Sequence, residues 1–131
     1  MQPGEQQIAS ERGPIDWGAL LERFRGDAAF VEKLARTTLA TQGELPGKLR
    51  QASHGADLAA VGFLAHKLKS MAAYLEACNL AELAKKAEIC ARDGDAEAFE
   101  LALRLAAGFE SLLAELASRY PVAERPDGAT G

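Results

Sequence analysis

The stretch Ala65-His66-Lys67-Leu68-Lys69-Ser70 sets one histidine among two lysines and a serine, inside what reads as a long helix. At about 100° per residue, Val61, Ala65, Leu68 and Ala72 gather on one side of that helix. His66 falls roughly 130° from the centre of this side, so it faces outward. Its neighbours there are Ala59, Gly62, Lys69, Ser70, Ala73 and Ala77, and five of the six are small. A solvated helix face ordinarily carries Glu, Lys, Gln and Arg. A small-residue strip instead leaves an imidazole uncovered and lets another protein approach closely. Gly62 costs about 1 kcal/mol of helix stability relative to alanine, which a close approach would justify. Lys69, one turn beyond His66, is the charge on the strip and can neutralise an anion attached to the ring. A neighbouring cation also disfavours imidazolium, so the spacing predicts a neutral, nucleophilic His66 near pH 7. The chemistry implied is an exposed nucleophile that carries an anionic group and is presented to a partner.

The elements that must hold this histidine are helical. The chain has 131 residues, enough for one domain with a single core. Alanine and leucine dominate, β-branched residues are scarce, and only Pro46 falls between Asp16 and Tyr120. Residues 1–13 are polar and aperiodic and read as a flexible leader. A short helix follows Pro14, with Asp16 as N-cap and Trp17, Leu20, Leu21 and Phe24 on one face. Asp27 caps a second helix bearing Phe30, Val31, Leu34, Ala35, Thr38, Leu39, Leu45 and Leu49 at helical spacing. Gly43 and Pro46 interrupt it, but the pattern resumes in phase, so one kinked helix to about Ser53 is expected. Asp57 caps the third helix, whose seam is Leu58, Val61, Ala65, Leu68, Ala72 and Leu75, ending near Ala77. Asn79 with Glu82 forms a capping box for the fourth, whose seam is Leu80, Leu83, Ala87 and Cys90. Gly94 stops it, and Asp95 caps a last helix through Phe99, Leu103, Ala106, Phe109, Leu113 and Leu116 to about Tyr120. Residues 121–131 read as a disordered tail. Short connections make neighbouring helices antiparallel. The expected fold is all-α: an antiparallel up-down four-helix bundle over residues 14–120, with a short additional N-terminal helix across one end.

Composition removes several function classes. The net charge of −4 and the absence of a dense Lys/Arg cluster disfavour a nucleic-acid partner. Apolar runs are too short to span a membrane, and the N-terminus lacks the parts of a signal peptide, so a cytoplasmic monomer is the expectation. Cys78 and Cys90 lie on one expected helix about 18 Å apart, beyond disulfide reach, and read as small buried side chains. A metal site from His54, His66, Cys78 and Cys90 matches no short ligand pattern. No metal ligands and no cofactor of its own are therefore expected.

The segment from Ala65 to Ser70, continued by Ala72-Ala73-Tyr74-Leu75-Glu76-Ala77, resembles the signature of histidine-containing phosphotransfer (HPt) domains, the shuttles of multistep phosphorelays. Ile15-Asp16-Trp17, Leu20, Leu21, Phe24, Gly26-Asp27 with Phe30, and Arg92-Asp93-Gly94-Asp95 agree with it, so the likeness extends from Ile15 to Leu116. The resemblance implies a phosphoryl carrier, not an enzyme. His66 would accept a phosphoryl group at Nε2 from a receiver-domain phospho-aspartate and pass it to another receiver, on a response regulator or a hybrid sensor kinase. Lys69 matches the family lysine, and the receiver would bring its own aspartate, Mg²⁺ and lysine. Ser70 stands where the family usually has glycine; its hydroxyl offers a hydrogen bond to the phosphoryl group. Glu76 also stands at a frequent glycine position. Partner contacts are expected at Gly62, Phe63, Lys67, Ala73 and Tyr74, with Lys85 or Lys86 beyond. One alternative is a receiver-binding module without phosphotransfer. Another is the phosphoacceptor hairpin of a sensor kinase, disfavoured by Lys67 after the histidine and by the lack of a glycine-rich nucleotide loop.

Overall fold

The computed structural model describes residues 13–121, which form six α-helices. They are α1 (Trp17–Arg23), α2 (Ala28–Thr41), α3 (Leu45–His54), α4 (Leu58–Tyr74), α5 (Cys78–Arg92) and α6 (Glu97–Arg119). The fold is all-α. Helices α3 to α6 make the bundle: α4 packs most extensively on α5, α6 on α3 and α5, and α2 lies along α6. Apart from Gly13 and Pro121, the expected leader and tail lie outside the described residues. No helix among those described is long and apolar enough to cross a membrane.

Aspartates start the helices as the sequence predicts. Asp16, Asp27 and Asp57 each accept the amide of the residue three ahead, at 3.0 Å, satisfying one donor that a helix start leaves unpaired. The expected cap of the last helix is corrected: α6 opens at Glu97 with Ala96 as N-cap and no side-chain cap, and Asp95, one residue earlier, accepts the Glu97 amide at 2.9 Å. The fourth expected cap is different: α5 opens at Cys78 with Ala77 as N-cap and no side-chain bond, so Asn79 lies inside the first turn and the capping box does not form.

The single kinked helix is also corrected. The chain breaks at Gln42, and α3 begins at Leu45 with Pro46 in its first turn. Proline lacks the amide that would have bonded to the Gln42 carbonyl, and the first turn needs none. Two helices cost less than one with a missing bond. α4 ends at Tyr74, three residues before Ala77, because Glu76 turns left-handed at φ +59°.

The core is a continuous cluster of Leu, Val and Ala with Ile15 and Phe109, and Phe109 is its largest fully buried side chain. On α4 the predicted seam holds: Val61, Ala65, Leu68 and Ala72 are fully buried. On α6 the predicted seam is displaced. Ala106, Phe109 and Leu116 are buried as expected, but Leu103 is 37% exposed, and Leu101, Leu105 and Leu112 take the interior. This helix touches α3, α4, α5 and α2, so its apolar arc is wider than one heptad line. Cys78 is exposed and Cys90 half-buried, correcting the expectation of two buried thiols; both are free.

Helix α1 lies across the end where α4 and α6 terminate. Trp17 Nε1 donates to Glu115, and the Arg119 guanidinium sits 4.4 Å from the Trp17 ring centre. At the α4 side, Asp16 N donates to the Glu76 carbonyl at 3.1 Å, and Arg23 Nε pairs with the Glu76 carboxylate at 2.8 Å. Arg23 Nη2 adds a bond to the Ala73 carbonyl at 3.3 Å. A left-handed non-glycine residue costs about 1 kcal/mol. Here its side chain anchors α1, which is why Glu serves where Gly would be easier.

Candidate functional site

His66 stands midway along α4, on the side opposite the buried seam. Its side chain is 63% exposed. Leu68 and Ala65 beside it are fully buried, so the backbone that carries the ring is fixed by core packing. The ring is held from one side only. Nδ1 lies 2.8 Å from Oε2 of Glu88, and the other oxygen of the same carboxylate, Oε1, accepts from Lys69 Nζ at 2.8 Å. Glu88 belongs to α5, and its side chain is only 19% exposed. One carboxylate therefore bridges histidine and lysine across the α4–α5 seam.

This bridge fixes the chemistry of the ring. An ionised carboxylate only accepts hydrogen bonds, so the contact requires a proton on Nδ1. In a neutral imidazole the lone pair then sits on Nε2, the nitrogen turned away from Glu88. The Lys69 hydrogen bond, foremost, and the His66 bond hold the Glu88 carboxyl below the ordinary carboxylate range, against the opposing effect of its partial burial. Glu88 stays ionised at neutral pH, so the acceptor is always available. The sequence expectation that Lys69 alone sets the charge around His66 is revised: the group touching the ring is a carboxylate. Lys69 has three N–H donors and gives one to Glu88, leaving others for an incoming anion.

Sequence reasoning missed Glu88. The signal existed: α4 and α5 form an antiparallel hairpin turning near Glu76, with His66 ten residues before the turn and Glu88 twelve after it. Side chains at matched distances from a hairpin turn face each other. Glu88 is the carboxylate on that part of α5 whose neighbours Ala84 and Ala87 are buried.

The other predicted residues separate into groups. Lys67, Ser70 and Ala73 are exposed along α4, as is Phe63 at 70%. Ala77 leaves the strip: it is fully buried. Gly62 is half-buried, and a Cβ there would stand 3.4 Å from Ala91 Cβ, at ordinary contact distance from α5. A shallow hollow of about 210 Å³ beside His66 is lined by Ala59, Gly62, Phe63, Glu88, Ala91 and Arg92. Beyond Ser70, Tyr74 joins an aromatic ledge. Its ring lies 5.4 Å from Phe24, which lies 4.8 Å from Phe30. Both Tyr74 and Phe30 are exposed. Among the described residues, the one close group of three ligand-type side chains is Cys90, Asp95 and Glu97; it includes neither His54, His66 nor Cys78.

Among known proteins, neither the curated sequences nor the solved structures give a match. The family model of the Hpt domain matches residues 33–119, about two-thirds of the chain, with α4, α5 and α6 wholly inside the match. Members of that family are phosphocarrier modules that interact with receiver domains in two-component phosphorelays. The helical bundle, the exposed histidine and the family match agree: the chain belongs to the Hpt domain family.

Proposed function

We propose that His66 is the phosphoacceptor of a relay, taking a phosphoryl group from the phospho-aspartate of one receiver domain and giving it to another. The observation that carries this reading is the Glu88 bridge, which leaves Nε2 of an exposed ring as the free nucleophile. Nε2 attacks phosphorus in line, the bond to the aspartyl oxygen breaks, and the aspartate leaves as a carboxylate. Positive charge developing on the ring is met by Glu88 at Nδ1–H. Lys69 turns its remaining donors to the phosphoryl oxygens, and Ser70, one turn on, offers a hydroxyl. Positioning and charge neutralisation carry the reaction. The Mg²⁺ such transfer uses belongs to the receiver.

The receiver docks over the small residues of α4, between Phe63 and the ledge of Tyr74, Phe24 and Phe30. The exposed aromatic rings on either side of the imidazole supply the kind of side chain enriched at protein interfaces. Lys67, which has no ion pair among the described residues, meets the acidic rim of the receiver site.

Mixing the chain with a phosphorylated receiver tests the reading. Label should move to this chain and prove acid-labile and base-stable, as phosphoramidates are. A chain that binds the receiver and never becomes labelled is an interaction module, and the proposal fails.

A further inference from the structure

A second concavity lies away from His66. A groove of about 560 Å³ runs between α5 and α6, with Leu83 and the exposed Ile89 presenting apolar surface. The two helices approach closely at Gly108, where an added Cβ would lie 2.8 Å from Leu80 Cδ1. The walls are cationic on both sides. Lys85 and Lys86 stand on α5 and Arg104 on α6. None of the three is in an ion pair among the described residues, although Glu82, also in the groove, stands four residues before Lys86. On a chain of net charge −4, these three cations around exposed Ile89 and half-buried Leu83 form a local positive site.

We propose that this groove binds an acidic, amphipathic helical segment of a partner protein. The stretch from Asn79 to Ile89 spans about 15 Å of helix, the length of a three-turn segment. Apolar side chains of such a segment, one turn apart, rest on Leu83 and Ile89. Carboxylates on its two flanks meet Lys85 and Lys86 on one wall and Arg104 on the other. The groove opens on the α6 side of α5, whereas Glu88 and His66 meet on the α4 side. A segment seated in it leaves the imidazole uncovered, so one partner can be tethered while another reaches His66.

The test uses the full chain and a labelled synthetic peptide of about twelve residues. Its leucines are spaced at helical positions, and glutamates flank them on both sides. Saturable binding by fluorescence anisotropy is expected, at least about ten-fold tighter than for a scrambled peptide of identical composition. Affinity should fall by about ten-fold or more in Lys86→Glu/Arg104→Glu and at about 0.5 M salt, and stay unchanged in His66→Gln. Backbone amide shifts of the wild-type chain should map to α5 and α6, a readout that needs no variant to fold. Equal binding of the scrambled peptide, shifts centred on α4, or indifference to the charge reversals would overturn the proposal. So would a homodimer in sedimentation that the reversals dissociate, since a second copy would then fill the groove.

Discussion

The two sides of α4 obey different rules. The inward side is a line of Val61, Ala65, Leu68 and Ala72, each fully buried, and its role follows from spacing along one helix. The outward side carries His66 and Lys69, and their state depends on Glu88, a residue of another helix. Burial is periodic along the chain, because every third or fourth side chain returns to the core. Reactivity has no such period, because it depends on what the neighbouring helix places opposite. A substitution inside should therefore act on stability, and one outside on phosphoryl chemistry.

Leu68→Ala should lower stability by about 2–5 kcal/mol in denaturant unfolding, since it leaves a cavity where packing is complete. His66→Gln should shift the same measurement by no more than about 0.5 kcal/mol. Equal losses in the two variants would erase the distinction between the sides.

Glu88→Ala sharpens it. Removing the carboxylate frees the ring and its tautomer, and the transfer rate should fall by about ten-fold in rapid-quench kinetics, with the fold retained. Glu88→Gln keeps an acceptor for Nδ1–H and should recover part of the rate. If Ala and Gln behave alike, Glu88 does not orient the ring. Lys69→Ala should have a smaller effect, slowing transfer a few-fold and shortening the lifetime of the phosphorylated form. An unchanged lifetime would remove Lys69 from the site.

The smallest effect is pH-dependent. The folded state holds the Glu88 carboxyl below its unfolded value, so its ionised form stabilises the fold above the ordinary carboxylate range. That contribution is lost as pH falls through the depressed folded value. Wild type should exceed Glu88→Gln in Tm near neutrality, and the difference should shrink on acidification. A difference that grows towards acid would reverse the assigned sign.

The same contrast explains what was legible in the sequence. Helix starts at Asp16, Asp27 and Asp57 and the seam of α4 were readable, because caps and burial leave local marks. His66 was readable because a histidine among alanines contradicts an ordinary solvated face. The split at Gln42 was misread because an in-phase apolar pattern cannot distinguish a kink from a break; the missing amide of Pro46 decides it. The α6 seam was misread because that helix is covered from several sides, so no single line defines its interior. Glu76 at φ +59° was seen only as a departure from glycine, since its compensation by Arg23 lies on α1, more than fifty residues earlier. Glu88 was missed because its meaning lies in a pairing between helices, which the register of the hairpin carries and the periodicity of either helix does not.

The claim that His66 carries the phosphoryl group is tested most directly by exposing wild type and His66→Gln, side by side, to the same phosphorylated receiver. Wild type should acquire base-stable, acid-labile label that maps to the peptide containing His66, while His66→Gln stays unlabelled with its unfolding transition intact. Label on folded His66→Gln at the wild-type level would contradict it.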